Sequence, residues 1–521
     1  MRVFSLRCLL LSVACVVLAN ISPGALAAEG STKLDQIQAI NPLAPAKELN
    51  CSEWTCKEWV LGDQRQMDLK PLAASTIVEA SNTYYVEEQQ SGRWLAGHRN
   101  DARGLVQEIH CDRAFENLDE LLKATKFADL PQPPEGFAIR EVARFARNPS
   151  RLTSDGQGKT LYALVGDADV WRIDLATGQQ RQILKGIEYI DTSRGDRHTV
   201  GLLLDRQRRL YIVVNQRIYK SAPLQNEITI YRTTGFVDGE PAAPKPWLRT
   251  FYPWGIGPFN HGVGHLAIGP DGLLYVSSGS RTDGNETGGD PRYSREGEAP
   301  LTSCIWRIDP WAEDPLIEVY ARGLRNAYGF CWNDRGEMFA TDNGPDADPA
   351  EELNQIERDG HYGFPFQFAD WAKKPYAYTP DPPAGVSFKP PIANLGPDGG
   401  YAGKPLYSFD PHSSPSGIVY LGNDFPEGYR GTFLVARFGN LLERPKDVGF
   451  DVLQVRLQRN AEGRYEAQMK TVLSPIARPV DLHLGGQGKV YICEYSRQIE
   501  NKGYSGLLPG RVLELSVLPK P

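Results

Sequence analysis

One pattern recurs six times along this 521-residue chain: a polar residue, a short strand, a Gly-rich turn and a returning aromatic-aliphatic strand. Its clearest copy is His261-Gly-Val-Gly-His-Leu-Ala-Ile-Gly-Pro-Asp-Gly-Leu-Leu-Tyr-Val276. The others open at Pro149, His198, Arg325, His412 and Arg478. A unit that cannot bury its own apolar face must stack on its neighbours, and six such units in a row predict a six-bladed β-propeller. In that fold the residue opening each inner strand lies at one mouth of the central channel. The pattern therefore predicts a mouth that gathers His198, His261, Arg325, Arg478 and a further His or Ser near residue 412.

The chain divides unevenly. Arg2 and Arg7 precede an apolar run ending near Ala19, and Ala25-Leu-Ala27 offers small residues for cleavage, so residues 1–27 read as a signal peptide and the mature chain as secreted or periplasmic. Residues 28–130 lack the repeat; one helix is expected near Phe115–Ala128, and the segment is an N-terminal extension of unassigned role. Pro131, Pro133 and Pro134 mark a linker, and the propeller is expected over residues 131–518, with the alternating run after Glu135 as an outer or closing strand. No other stretch is apolar enough to span a bilayer.

Charge excludes one class of partner. Removing Arg2 and Arg7, with no acid, takes the net charge from −7 to −9, which argues against nucleic-acid binding. Six cysteines remain (Cys51, Cys56, Cys111, Cys304, Cys331 and Cys493), an even number that permits disulfides in an oxidising compartment. Cys331 and Cys493 lie in strand-like runs, as buried thiols do. No Cys-x-x-Cys-His haem motif occurs.

Several residues carry chemistry. His261 and His198 are imidazoles able to take a proton near neutral pH, whereas His265 falls inside its strand and reads as structural. Arg325, beside Asn326, and Arg478 are fixed cations suited to a carboxylate or a developing oxyanion, or to an ion pair between blades. The run from Asp342 to Asn354 is dense in oxygen ligands without the order of an EF-hand; it reads equally as a Ca2+ site or a solvated acidic loop. Two long connections, Ser278–Ser303 and the aromatic-rich Phe364–Pro411, are expected at the same mouth as the strand openings.

Taken in order, Gly-His-Leu-Ala-Ile-Gly-Pro-Asp-Gly, Gly-Leu-Arg-Asn-Ala-Tyr-Gly, Asp-Asn-Gly-Pro…Glu-Glu-Leu-Asn, Gly-His-Tyr-Gly-Phe-Pro and Pro-His-Ser-Ser-Pro-Ser-Gly resemble the glucose/sorbosone dehydrogenases. These are soluble quinoproteins carrying pyrroloquinoline quinone (PQQ) on a six-bladed propeller, and the resemblance spans about residues 131–515. It implies oxidation of an aldose or related sugar or polyol hydroxyl, with electrons passing to an unidentified acceptor. It implies His261 as general base and Arg325 as the partner of the reduced quinone. Asn326, Arg478, Arg437 and His198 are implied as cofactor contacts. The carbonyls of Gly344 and Pro345 are implied for a catalytic Ca2+, and Glu352 with the Tyr362 carbonyl for a structural one. The chain departs from the pattern at Gly195-Asp-Arg-His198, at Val480 and around Arg437, which leaves Arg197 or Arg281 as substitute cations. Two other classes fit the architecture. One is a calcium-dependent lactonase using Asn260, Asn326 and Asp481, and the other is a non-catalytic propeller that binds a glycan or protein.

Overall fold

In the computed structural model the described residues are 31–519, apart from 62–66, 81–82, 100–106, 125–128, 219, 238, 256–259, 287–296, 370–373, 401–407, 441–447 and 497–508. The expected signal peptide lies outside them. Six sheets follow one another round a channel. The inner strands of blades 1 to 6 are Pro149–Ser154, Arg197–Leu204, Val263–Ile268, Ala327–Trp332, Pro415–Leu421 and Pro479–Gly486. Each pairs antiparallel with the strand that returns from its turn. Blade 6 takes its fourth strand, Phe137–Arg144, from the other end of the propeller sequence, and pairs it with Pro509–Val517. Arg140 clasps Glu514 across that seam with two bonds of 2.9 and 3.0 Å. The closing strand expected after Glu135 is thus present. Blade 4 has three strands, and blade 5 carries an extra parallel strand, Ala393–Pro397.

Every inner strand is irregular at its first residues. The register shifts near Pro149, between His198 and Gly201, between Val263 and Leu266, between Ala327 and Gly329, between Pro415 and Ile418, and between Pro479 and Asp481. A bulge bends a strand and re-aims its side chains. Six bulges at the same end therefore turn the opening residues into the channel mouth. Further down the strands converge, and a Cβ on Gly201, Gly329 or Gly417 would lie 2.3 Å from backbone of the next blade.

Arg151, 1% exposed, closes the channel midway. From blade 1 its guanidinium reaches Asp481 of blade 6 (3.1 Å), the Val200 carbonyl of blade 2 (2.7 Å) and the Tyr328 carbonyl of blade 4 (2.7 Å). Beyond it, at the far end, a cavity of about 600 Å3 is lined by residues of all six inner strands, His265 and His483 among them. The ring of His265 packs edge-on to Phe330 at 4.6 Å, and burial drives its pKa well down.

Residues 33–124 form a separate unit, a seven-stranded sheet with two short helices, Lys33–Ile40 and Leu118–Ala124. The helix expected over residues 115–128 is shorter than its apolar spacing suggests: Phe115 ends the strand Glu108–Phe115, and 125–128 lie outside the described residues. Ile37, Ile40 and Leu121 cover one sheet face, with Val78, Tyr85 and Trp94, while Ile77, Tyr84, Val86, Cys56 and Cys111 pack on the other. The six cysteines are all free thiols, so the disulfides permitted by their number are not formed. Cys56, Cys111, Cys304 and Cys493 are buried.

Candidate active site

His261 ends one residue short of a tight turn. Gly262 follows with φ +73°, and a Cβ there would meet the Asn215 side chain at 2.7 Å, so only glycine fits. Asn215, fully buried in blade 2, accepts from Val263 N and donates to Val263 O, both at 2.8 Å. The turn places the His261 ring against Ser280, whose hydroxyl lies 3.1 Å from Nδ1 and whose carbonyl lies 3.3 Å away. Ser280 N in turn donates to the Arg325 carbonyl (2.7 Å), which ties the openings of blades 3 and 4 together.

Arg325 is 3% exposed and pairs with Asp283. It also donates from Nη1 to the Asn343 carbonyl at 3.2 Å. Asp283 further accepts from Asp346 N and from the hydroxyl of Tyr376 in the long aromatic connection. Tyr376 stacks on Tyr378 with 5.0 Å between ring centres, so this connection does lie at the mouth; Trp371 and Tyr401 are outside the described residues. Asn326 N donates to Asp342 at 2.6 Å, and Gly344 N donates to Glu351. His261, Arg325, Asn326 and Gly344 thus share one bonded network, with Pro345 next in the chain.

Below it sit three buried acids. Asp342 and Glu352 face each other directly across their strands, both fully buried. Burial, and then Glu352, push the Asp342 carboxyl well above its usual range, and burial holds Glu351 and Glu352 at about 7. Glu352 accepts from Ala369 N (2.7 Å) and Asn354 (2.9 Å). Among the described residues no three His, Cys, Asp or Glu side chains converge as a metal set. Tyr362 is buried nearby, its hydroxyl bonded to the Gln355 carbonyl at 2.7 Å.

The remaining candidates divide. Arg478 is buried between Phe438 and Phe450, 4.9 and 5.1 Å from their ring centres, and donates to the Asn440 carbonyl at 3.1 Å. Solvent reaches the ring of His198, yet the surrounding blades crowd it enough to lower its pKa. The fork of Arg437, implied as a cofactor contact, is engaged by Asp451, with Nε 2.8 Å from the carboxylate, and Nη1 donates to the Gly399 carbonyl at 3.0 Å. The pairing ties the Arg437 and Asp451 strands of blade 5 together. Arg281 is likewise spent, on the carbonyls of Pro253, Trp254 and Gly297. Asp481, needed for a lactonase-type set, is committed to Arg151 and to Leu152 N (2.8 Å).

The mouth holds buried polar atoms with no partner among the described residues: Asn260 Nδ2, Arg325 Nε, Asn343 Oδ1 and Arg197 Nε. Each belongs to or adjoins an implied site residue. Three are donors, the chemistry that receives an anionic or oxygen-rich group.

A family model described as Glucose / Sorbosone dehydrogenase matches residues 256–496, the stretch that carries His261, Arg325, Gly344 and Arg478. Residues 256–496 of the propeller are thus similar to the glucose/sorbosone dehydrogenase family. A curated relative, quinoprotein glucose dehydrogenase B of Acinetobacter calcoaceticus, is 22% identical over 283 residues, which cover 47% of this chain. The matched part spans 58% of that relative's length. Among solved structures, a glucose dehydrogenase superposes with a TM-score of 0.50 at 14% identity, covering 74% of this chain and 99% of its own. The PQQ-bound aldose sugar dehydrogenase of Streptomyces coelicolor gives 0.49 at 20% identity, with 74% and 99% covered. Residues 33–124 lie outside the family match.

Proposed function

We propose that this chain is an exported, PQQ- and calcium-dependent dehydrogenase that oxidises an aldose or related sugar or polyol hydroxyl. The observation that carries the reading is that Ser280 bonds both the His261 ring and the Arg325 carbonyl, beside buried donors that have no partner among the described residues. PQQ, when bound, supplies a two-electron acceptor for the substrate hydride. Arg325 Nε, Asn260 Nδ2 and Arg197 Nε suit its oxygens, and Asn326, Arg478 and His198 stand where further contacts are implied. Calcium suits the carbonyls of Gly344 and Pro345, and a second ion suits Glu352 with the Tyr362 carbonyl. The support is the face-to-face burial of the Asp342 and Glu352 carboxyls, a pair of hard oxygen donors of the kind calcium takes.

The chain's own part is proton and charge management. Nε2 of His261 accepts the substrate hydroxyl proton, and the adjoining Arg325 cation favours negative charge developing at the mouth. The two aromatic rings of Tyr376 and Tyr378 cover this side and limit water. The far cavity plays no part, because Arg151 stands between.

The test is dye-linked dehydrogenase activity of the purified protein with and without PQQ and Ca2+ over aldoses, polyols and sorbosone. Activity that needs both additions, and falls at least about a hundredfold in His261→Ala, is expected. Absence of activity together with no PQQ-dependent rise in melting temperature overturns the reading.

A further inference from the structure

The partner of His261 is a neutral hydroxyl, and its hydrogen has a defined destination. Ser280 Oγ donates to the Thr282 carbonyl at 2.8 Å. A serine has one O–H, so towards His261 Nδ1 its oxygen accepts, and the Ser280 carbonyl 3.3 Å from the same nitrogen also only accepts. Two acceptors at one ring nitrogen require that nitrogen to carry the proton. The relay runs Nδ1–H to Ser280 Oγ–H to Thr282 O, which leaves Nε2 as the basic nitrogen of the neutral ring.

The acceptor at its end is itself fixed. Glu298 accepts from Thr282 N (2.8 Å), from Arg281 N (3.3 Å) and from the hydroxyls of Thr282, Thr302 (2.6 Å) and Ser303 (2.9 Å). One carboxylate thereby pins the backbone that presents both Ser280 and Thr282 O. We propose that Ser280 is a positioning residue that holds His261 as the Nδ1–H tautomer through a relay anchored by Glu298, and that it does so without placing a negative charge beside the ring.

This rests on His261 being the base of the proposed reaction, but the tautomer stands apart from it. The charged groups on the elements around the ring are Arg281, Asp283 and Glu298 on the same connection, with Arg325 and Asp342 at the opening of blade 4. Each has a bonded partner of its own: backbone carbonyls for Arg281, Asp283 and Arg325 for each other, the Arg281–Ser303 donors for Glu298, and the Arg325 and Asn326 amides for Asp342. His198, at the opening of blade 2, is the neighbouring titratable ring. A neutral orienter therefore lends the imidazolium little stabilisation, and a carboxylate in its place would lend much.

Two measurements test this. In 15N-histidine NMR of the full chain, with the His261 signals assigned by their loss in His261→Asn, the neutral ring is expected as the Nδ1–H tautomer; an Nε2–H tautomer overturns the proposal. In kinetics, Ser280→Ala is expected to lower kcat by about tenfold with little change in KM and to move the acidic limb of kcat/KM to lower pH. Ser280→Thr is expected to restore both. Ser280→Asp is expected to raise the His261 titration by about one pH unit, read by NMR even in an inactive protein. Titration unchanged in both Ser280→Ala and Ser280→Asp overturns the proposal. If instead His261→Asn keeps its activity while the tautomer is as stated, the base assignment fails and the relay does not.

Discussion

Arg325 meets the mouth already paired. Asp283 takes its charge, so a ligand oxygen gains from Nε while the ion pair stays in place. The planar fork is what allows both at once, and an ammonium has no equivalent. Arg325→Lys is therefore expected to fold and to lose about a hundredfold in kcat/KM, measured at saturating PQQ and Ca2+. At this scale the sequence is partly legible. His261 and Arg325 can be found because each opens a repeated strand, so position in the repeat reveals position in space. Ser280, Asp283 and Glu298 lie in a connection with no period, and only their folded neighbours give them meaning. The Asp451 partner of Arg437 is hidden for a related reason. A cation at the end of a strand reads the same whether it faces a ligand or an aspartate fourteen residues away.

Among elements, the connection that follows Leu274–Ser278 carries the most. Its first side supplies Ser280 to the base and Asp283 to the arginine, three residues apart, and Glu298 on its second side binds the two sides together. Glu298→Ala takes an acceptor from five donors, the Thr302 hydroxyl keeping the Ala299 carbonyl at 2.9 Å, and unpaired buried donors cost about 1–3 kcal/mol each when water cannot replace the bond. The expected result is faster amide exchange over residues 280–286, with the inner strands still protected and dehydrogenase activity lost. Protection unchanged at 280–286 would contradict this role. The length and polarity of the connection mark it as functional from sequence, and the turn geometry of each blade places it at the mouth. The sheet of residues 33–124 was not legible. Its strands are short, and both faces are apolar, as in Tyr84, Tyr85 and Val86, so the alternation that announces a strand is missing.

For the whole molecule, the strut across the channel is the central device. Arg151 joins blades 1, 2, 4 and 6, and removing it leaves Asp481 buried without its cation. Arg151→Met is expected to lower the unfolding free energy by about 3–5 kcal/mol in urea titration, with part regained on adding Asp481→Asn. The six-bladed count was legible because the repeat is long and regular at its turns. The strut was not, since it links residues 330 positions apart.

The seam of blade 6 sets a schedule. Phe137–Arg144 leaves the ribosome long before its partner Pro509–Val517, and the Arg140–Glu514 clasp spans 374 residues. At about 5–20 residues per second, some 20–75 seconds pass between the two. During that interval the first strand has no edge to join, and five blades can form while the ring stays open. Closure waits for the last strand of blade 6, and a chain stopped before that strand is left as an open arc.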